Sequence, residues 1–316
     1  MFVYILRRLL FMLPVALLVC FLTFMLIHLI PGDPARVLLG EEATPQTVLA
    51  LQRQLGLDKP IPVQFGIWFV QLLHGNLGDS IQLQQPVGQA LLQRLPVTLE
   101  LGSSALLFSL ILALPLGVLT ATRRDSWVDW LVNVSSLLGT AIPSFVLALL
   151  LIFVFAVALR IFPPGGYVPF GDDPLSNLRD LILPVIALST GAVAVNLRQI
   201  RAGMIEVMEQ DYVRTARAKG LSERRVQYVH ALRNSLIPVL TIVGLQIGAI
   251  LGGTVITETI FLWPGIGNLA VTSIFSKDYP VVQGVVLIVA FSYMLTNLLV
   301  DLSYVLFDPR IRLSKA

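Results

Sequence analysis

The sequence predicts an all-α integral membrane protein with six transmembrane helices. Hydrophobic residues make up 56% of the chain and charged residues only 13%, whereas about 25% of an average globular chain is charged. A spanning helix needs about 20 mainly apolar residues, because it rises 1.5 Å per residue across roughly 30 Å of hydrocarbon. Six runs meet this requirement, at about 9–30, 99–121, 131–160, 182–203, 236–258 and 281–306.

The first apolar run is interpreted as a retained membrane helix and not as a cleaved signal peptide. Arg7 and Arg8 precede it, but the run from Leu9 to Ile30 is longer than the roughly 7 to 15 residues of a signal core. No small-x-small cleavage site follows. The single cysteine, Cys20, lies inside this run, which excludes disulfides within the chain and cysteine-based metal sites.

The segment 31–98 is predicted to be extracytoplasmic and to form short amphipathic helices. Thr44 followed by Pro45 is typical of a helix start, and Gly56 is typical of a helix end. The stretches 62–75 and 87–95 read as further helices. Their apolar faces could pack on the ends of the membrane helices or receive another protein, and these two interpretations are compatible.

The chain is thus divided into three parts: 1–30 with the first membrane helix, the extracytoplasmic segment 31–98, and a core of five membrane helices at 99–316. The third run is long enough to tilt or protrude. The fourth is predicted to begin at Pro184, because a missing N–H does least harm near a helix start.

Polar residues are rare in the predicted spans. Glu100 and Asn196 are expected towards helix ends, while Asn297 and Asp301 share a face of the sixth helix. Acids inside a membrane are functional candidates. Both carboxylates here are expected to be hydrated or ion-paired near an interface.

The fifth membrane helix carries Gly244, Gly248 and Gly252 at every fourth position. Such a strip of small residues allows another helix to approach closely in a membrane. Gln246 is two residues from its neighbouring glycines, so it lies about 200° around the helix and faces away from the strip. It is predicted either to line a translocation route or to form an ordinary interhelical hydrogen bond.

The distribution of cations predicts that both termini are cytoplasmic. Most of the 22 Lys and Arg residues fall on the segments that are inside if the N-terminus is inside, above all between Arg198 and Arg233. A loop at 204–235 is therefore expected on the cytoplasmic face. The net charge of +3 has this topological explanation and indicates no nucleic-acid partner.

Residues 211–238, DYVRTARAKGLSERRVQYVHALRNSLIP, form a basic stretch between two apolar runs. Gly220 can end a first helix in the left-handed conformation, and Ser222 offers an N-cap for a second helix from Glu223 to about Asn234. The residues predicted to share one face of that second helix are Val226, Val229, His230 and Arg233.

This helix-Gly-helix unit has a passing likeness to a DNA-binding helix-turn-helix, but a loop tethered at both ends by membrane helices has poor access to DNA. Two interpretations stay open on charge and periodicity alone. The unit could lie on anionic lipid as an interfacial helix, or it could dock a cytoplasmic protein.

The stretch also resembles the cytoplasmic EAA loop of importer-type ABC transporter permeases. Only Ala216, Gly220 and Leu232 match the general pattern, whereas DYVRTARAKG, the HALRN at 230–234 and Pro238 resemble the dipeptide, oligopeptide, glutathione and nickel subgroup. Further stretches resemble this subgroup in order and indicate the first of its two permease subunits. They are HLIPGDPAR at 28–36, LGLDKP at 55–60, HGNLGDS at 74–80, RLPVTLEL at 94–101, ETIFLWPGIG at 258–267, DYPVVQG at 278–284 and DPRIR at 308–312.

The resemblance implies a type I ABC importer permease fold and a coupling helix that contacts an ATPase subunit. Ala216 and Gly220 would give close approach at the corner, and nearby cations would make polar contacts. The residues implied in this contact are Asp211, Tyr212, Arg214, Thr215, Ala216, Arg217, Ala218, Lys219, Gly220, Leu221, Ser222, Arg224, Arg225, His230, Leu232 and Arg233.

The chain itself is expected to be non-catalytic and to hold no cofactor or metal. It has no G-x-x-x-x-G-K-[ST] phosphate loop, and His28, His74 and His230 are scattered. The resemblance implies a second permease, two ATPase subunits that bind ATP and Mg²⁺, and an extracytoplasmic binding protein, in a cell (inner) membrane. Peptide is the expected cargo, with glutathione and nickel as alternatives. A secondary transporter is a further alternative, but it would usually carry acidic residues near the middle of the bilayer and internal sequence repeats.

Overall fold

The computed structural model describes residues 2–29, 36, 43–55 and 58–307. This part of the chain is helical and contains no strand beyond one isolated bridge, which confirms the all-α fold. The helices are α1 Phe2–Leu29, α2 Pro45–Leu55, α3 Ile61–Leu73, α4 Val87–Thr122, α5 Trp127–Ala141, α6 Ser144–Leu151, α7 Pro174–Met208, α8 Asp211–Ala218, α9 Leu232–Gly253, α10 Val255–Ile260, α11 Ile266–Phe275 and α12 Tyr279–Phe307.

Four of the described helices, α1, α4, α7 and α12, are long and apolar enough to cross a membrane. Two bent pairs also pass this test, Trp127–Ala141 with Ser144–Ala158 and Glu223–Leu236 with Pro238–Gly253. The predicted six spans are therefore present when each bent pair counts as one span.

The prediction of one continuous third span is wrong. Its two halves meet at Ile142 and Pro143 with a bend of 100°. Ile142 has an extended backbone, φ −80° and ψ 119°, because the ring of a following proline disfavours the helical conformation. The second half then ends in a π-helical stretch, Ile152–Ala158.

Two predicted helix starts are also wrong. The stretch 87–95 is not a separate helix but the beginning of α4, which is 36 residues long and continues through Pro96. Pro184 lies inside α7, which begins ten residues earlier at Pro174. The actual start signal is Asp173, whose carboxylate accepts hydrogen bonds from the backbone N–H groups of Leu175 and Ser176 at 3.0 and 3.3 Å. As a consequence, Glu100 and Asn196 lie inside long helices and not at helix ends.

The chain divides into two compact units. One comprises residues 1–97 and 264–316. In it α1 packs along α12 and α3, and Gln283 donates to the carbonyl oxygen of Thr23 at 3.0 Å. Arg8 and Asp301 form an ion pair at 2.8 Å, which is one of the two states expected for that acid.

The same unit contains the predicted amphipathic helix α2. The side-chain oxygen of Thr44 accepts the backbone N–H of Thr47 at 3.2 Å, which confirms the predicted N-cap. The predicted stop at Gly56 lies outside the described residues. Helix α3 begins and ends close to the predicted range 62–75.

The other unit comprises residues 98–263. Helix α7 is central to it and packs against α5, α6, α9 and α10. A buried apolar cluster joins α4, α7 and α9 and contains Ala113, Val118, Leu197, Ile200, Met204, Ala231 and Val239. This unit contains the whole loop 204–235.

Candidate functional site

The candidate site is the loop between α7 and α9. Helix α7 ends at Met208, and α8 runs from Asp211 to Ala218. Gln210 precedes α8 with an extended backbone and no side-chain cap. The chain therefore leaves the membrane helix, turns sharply and presents one short helix.

Gly220 ends α8 as predicted. Its φ is +78°, a conformation that L side chains rarely adopt. Its N–H donates to the carbonyl oxygen of Arg217 at 2.9 Å, and the N–H of Leu221 donates to that of Ala216 at 3.4 Å. These two bonds form a Schellman motif, which explains why glycine is required here.

The loop has a small apolar core of its own. Val213, Ala216 and Val226 are buried against one another, with Met208 and Leu221 packed beside them. Ala216 is therefore buried between α8 and the second arm of the loop, while its role in close approach to an ATPase subunit stays a prediction. The core fixes the angle between α8 and the following arm.

The second arm differs from the regular helix that was predicted. It begins with one α-helical turn, Glu223–Arg225, and continues as a π-helix over Val226–Ala231 before α9. Val226 and Ala231 are buried and lie five residues apart, which is the spacing of π-helical hydrogen bonds. The predicted shared face is wrong in part, because Val229 is 54% exposed while Val226 is buried.

The cations of the loop divide into paired and unpaired groups. The Nε of Arg217 donates to Glu223 Oε1 at 2.8 Å, and its Nη2 donates to Oε2 at 3.4 Å. Arg214 lies 3.5 Å from Asp211. Within the part of the chain that the structure describes, four cations are exposed and form no ion pair: Lys219, Arg224, Arg225 and Arg233.

The remaining predicted loop residues lie mostly on the surface. Tyr212, Thr215, Ala218 and Ser222 are exposed, whereas Leu221, His230 and Leu232 are half-buried. The hydroxyl oxygen of Tyr212 accepts a hydrogen bond from Asn234 Nδ2 at 2.8 Å. Ser222 occupies the predicted N-cap position, but its side chain makes no capping hydrogen bond.

A buried ion pair that the sequence reasoning missed lies next to the loop. Asp129 on α5 accepts from Arg201 Nε and Nη2 on α7, both at 2.8 Å, and from Asn133 Nδ2 at 2.6 Å. In addition, Arg124 lies 3.9 Å from Glu209 at the start of the loop. The start of α5 is thus fastened to the membrane helix that carries the loop.

The loop is joined to the membrane helices by close packing. Adding a Cβ at Gly203 would bring it within 3.0 Å of the Ser235 carbonyl oxygen, so the last turns of α7 touch the first turn of α9. The two membrane helices that flank the loop therefore pack directly against each other at its base.

Two family models match this sequence. Residues 113–313 match the binding-protein-dependent transport system inner membrane component, and residues 1–102 match the N-terminal part of such membrane components. The chain belongs to this family. It is an inner-membrane, multi-pass permease of a transport system that depends on a binding protein.

Full-length relatives agree with this assignment. The permease is 46% identical to a putative peptide transport system permease protein of Brucella abortus, with 98% of each chain covered. It is 41% identical to a dipeptide transport system permease protein of Alkalihalophilus pseudofirmus, covering 99% of this chain and 100% of the relative. Identity to a probable D,D-dipeptide transport system permease protein of Escherichia coli is 42%, over 93% and 92% of the two chains.

Gln246 takes part in a hydrogen-bond cluster between membrane helices of the permease. Its Nε2 donates to Asn196 Oδ1 and its Oε1 accepts from Asn196 Nδ2, both at 3.1 Å. Asn196 also donates to Ser109 Oγ at 3.2 Å, so α4, α7 and α9 are joined at one level. The interhelical bond is present, whereas a role in the translocation route stays a prediction.

The glycine strip of α9 is only partly buried. Gly244 and Gly248 are buried, but Gly252 is exposed near the end of the helix. A close approach not seen from the sequence involves Gly102 on α4, where an added Cβ would clash with the Ile250 side chain. The contact between α4 and α9 therefore depends on Gly102.

Glu100 lies in a polar cluster with the segment that precedes α7. Its carboxylate accepts from Tyr167 Oη at 2.9 Å and from Asn177 Nδ2 at 2.6 Å. Burial, and then the hydrogen bond and charge of Glu100, raise the pKa of the Tyr167 hydroxyl to about 12. The Tyr167 ring meets the buried Trp263 ring edge-on, with centroids 4.8 Å apart.

Glu258 is a second buried acid that the sequence reasoning did not single out. Its Oε1 accepts from the hydroxyls of Thr98 and Thr254, both at 2.8 Å. Full burial of a carboxylate requires such partners. The motif ETIFLWPGIG therefore contributes a structural anchor between α4 and α10.

Proposed function

We propose that this permease is the first membrane subunit of an ATP-driven importer for dipeptides and oligopeptides. The relatives named above are described as peptide or dipeptide permeases and match along almost the entire chain. In the proposed assembly a second permease, two ATPase subunits and an extracytoplasmic binding protein complete the transporter. ATP and Mg²⁺ bind to the ATPase subunits, and the permease performs no covalent chemistry.

The loop 204–235 is proposed to be the contact with an ATPase subunit. The observation that carries this proposal is a short helix with its own buried core, ended by Gly220 and flanked by the exposed cations Lys219, Arg224 and Arg225. A rigid projection can transmit a displacement, whereas a loose loop would absorb it. The positive-inside rule supports a cytoplasmic position for the loop and both termini.

Coupling requires that ATP binding favour one packing of the membrane helices over another. Three sets of contacts connect the loop to those helices. They are the buried cluster around Met204 and Ala231, the Gly203–Ser235 approach, and the Asp129–Arg201 pair. Closure of the ATPase subunits would thus reach α5, α7 and α9.

The test is uptake by proteoliposomes that contain the permease, its partner permease and the ATPase subunits. Labelled dipeptide is delivered by the binding protein, and wild type is compared with Gly220→Trp and Gly220→Ala. No atom lies within 4 Å of a Cβ at position 220, so the indole would project outward. We expect Gly220→Trp to insert into the membrane but to lose ATP-dependent uptake.

Gly220→Ala separates the effect of backbone strain from that of blocked docking. Like tryptophan, alanine must adopt the unfavourable left-handed φ, which destabilises the loop by roughly 1–2 kcal/mol, but it adds little bulk. It should retain most uptake. Gly171→Trp is the matched control, since Gly171 is also exposed with no neighbour within 4 Å of a Cβ. Normal uptake by Gly220→Trp would disprove the coupling role, and uptake of nickel or glutathione without peptide would disprove only the cargo.

A further inference from the structure

Arg198 is a charged side chain in a membrane helix without an acidic partner among the described residues. It lies on α7, and its Nη1 donates only to the neutral Oγ of Ser136, at 3.4 Å. Arg201, one turn further along, has Asp129 instead. Charged side chains inside membrane spans are usually paired, so the guanidinium group of Arg198 is a candidate ligand for an anion from outside the chain.

An apolar groove of about 470 Å³ ends beside this arginine. Its walls come from α4, α5 and α7, and along α7 it extends from Ile186 to Leu197, the residue before Arg198. Eleven residues of helix correspond to about 16 Å, which is roughly half of a 30 Å hydrocarbon core. The groove therefore has the length of one leaflet and is lined by, among others, Phe108, Leu116, Leu131, Val132 and Ser136.

The outer surface of α5 shows where the membrane interface lies. Trp127 is 75% exposed and Trp130 is 67% exposed, and they lie three residues apart on one face. Exposed tryptophans of membrane helices are enriched at the level of the lipid head groups. Because Ser136 contacts Arg198, the tryptophans lie roughly two turns nearer the start of α5 than the level of Arg198.

We propose that this groove binds one anionic phospholipid, with its phosphate on Arg198 and one acyl chain along α4, α5 and α7. A guanidinium group binds phosphate through charge-assisted hydrogen bonds. The apolar groove accepts the chain, and the phosphate supplies the anion that Arg198 lacks. Trp127 and Trp130 fix the head-group level at the same end of the groove.

The test is native mass spectrometry of the permease with its partner subunits in mild detergent, titrated with phosphatidylglycerol or phosphatidylcholine. We expect one phosphatidylglycerol bound more tightly than phosphatidylcholine. Arg198→Gln should weaken phosphatidylglycerol binding by roughly 10- to 100-fold, because it removes a charge-assisted contact. Arg198→Lys should restore part of the affinity.

Ser135→Phe tests the groove separately, since Ser135 is exposed and lines it. This variant should block the acyl chain while Arg198 stays in place. Arg179→Gln is the matched control, because it removes one exposed cation from the opposite end of the same helix α7 and should leave lipid binding unchanged.

Three results would overturn the proposal. Arg198→Gln could bind phosphatidylglycerol like wild type, wild type could bind the two lipids equally, or the lipid could bind the isolated chain but not the assembled transporter. The last result would mean that a partner subunit covers Arg198. If Arg198→Gln does not fold, the wild-type comparison of lipids and the Ser135→Phe variant decide.

Discussion

Removing one member of the Asp129–Arg201 pair should destabilise the permease by about 3 kcal/mol. The Asp129 side chain is 7% exposed and that of Arg201 is 25% exposed, so either partner alone would be a poorly hydrated charge. Breaking a buried ion pair costs about 3–5 kcal/mol. The partial exposure of Arg201 places the expected value at the lower end of this range.

The Coulomb attraction between Asp129 and Arg201 gives an energy similar to this expected loss of stability. Two unit charges about 4 Å apart interact by about 4 kcal/mol at an effective dielectric constant of about 20. The two hydrogen bonds of 2.8 Å fix the geometry. In the double variant Asp129→Asn/Arg201→Gln no charge is left unpaired, so its loss of stability should be about 2–3 kcal/mol smaller than the sum of the two single variants.

The assay is unfolding of the purified permease in mixed micelles by increasing sodium dodecyl sulfate, followed by circular dichroism. Asp211→Asn is the control, because the Asp211–Arg214 pair is largely exposed at 3.5 Å and should contribute below about 0.5 kcal/mol. A coupling free energy below about 0.5 kcal/mol between Asp129 and Arg201 would refute the reasoning.

Two further predictions concern other polar groups. In a Cys20→Ser background, Gln246→Cys should react with a water-soluble thiol reagent in at least one nucleotide state, and no labelling in any state would exclude the translocation role. Asn196→Leu leaves Gln246 unpaired, so it should lower the free energy of unfolding by about 1–3 kcal/mol in the same unfolding assay. The stability contribution of Tyr167 should be complete below about pH 10 and lost as the pH rises towards 12, because the folded chain holds its proton more tightly than the unfolded chain. Tyr167→Phe should lack this alkaline loss, and an unchanged pH profile in that variant would contradict the assignment to Tyr167.

The candidate loop was largely predictable because its signals are local. The left-handed conformation at Gly220 and the helix before it depend on neighbouring residues only. The π-helical turn at Val226–Ala231 was not predictable in this way. Val226 and Ala231 are buried in two apolar clusters that include residues of α4, α7, α8 and α9, so the packing of this turn depends on other helices.

Helix boundaries in the membrane also depend partly on local signals and partly on contacts with other helices. Asp173 and Pro174 form the local start signal for α7. The prediction placed the start at Pro184 because that proline lies near the beginning of the apolar run. Helix α4 continues through Pro96, since neighbouring groups can satisfy the backbone around a proline in a membrane helix. Such compensation cannot be read from the proline itself.

Composition and the spacing of apolar runs by themselves determined that this chain is an all-α membrane protein with several spans, because crossing the hydrocarbon requires apolar runs of that length. The sequence also determined the position of the loop and the need for glycine at 220. Only the tertiary structure decided that Asp129 meets Arg201, that Asn196 meets Gln246, and that Arg198 has no acidic partner among the described residues. The physical reason is that these relations join residues 50 or more positions apart, and helix packing, not local spacing, brings them together.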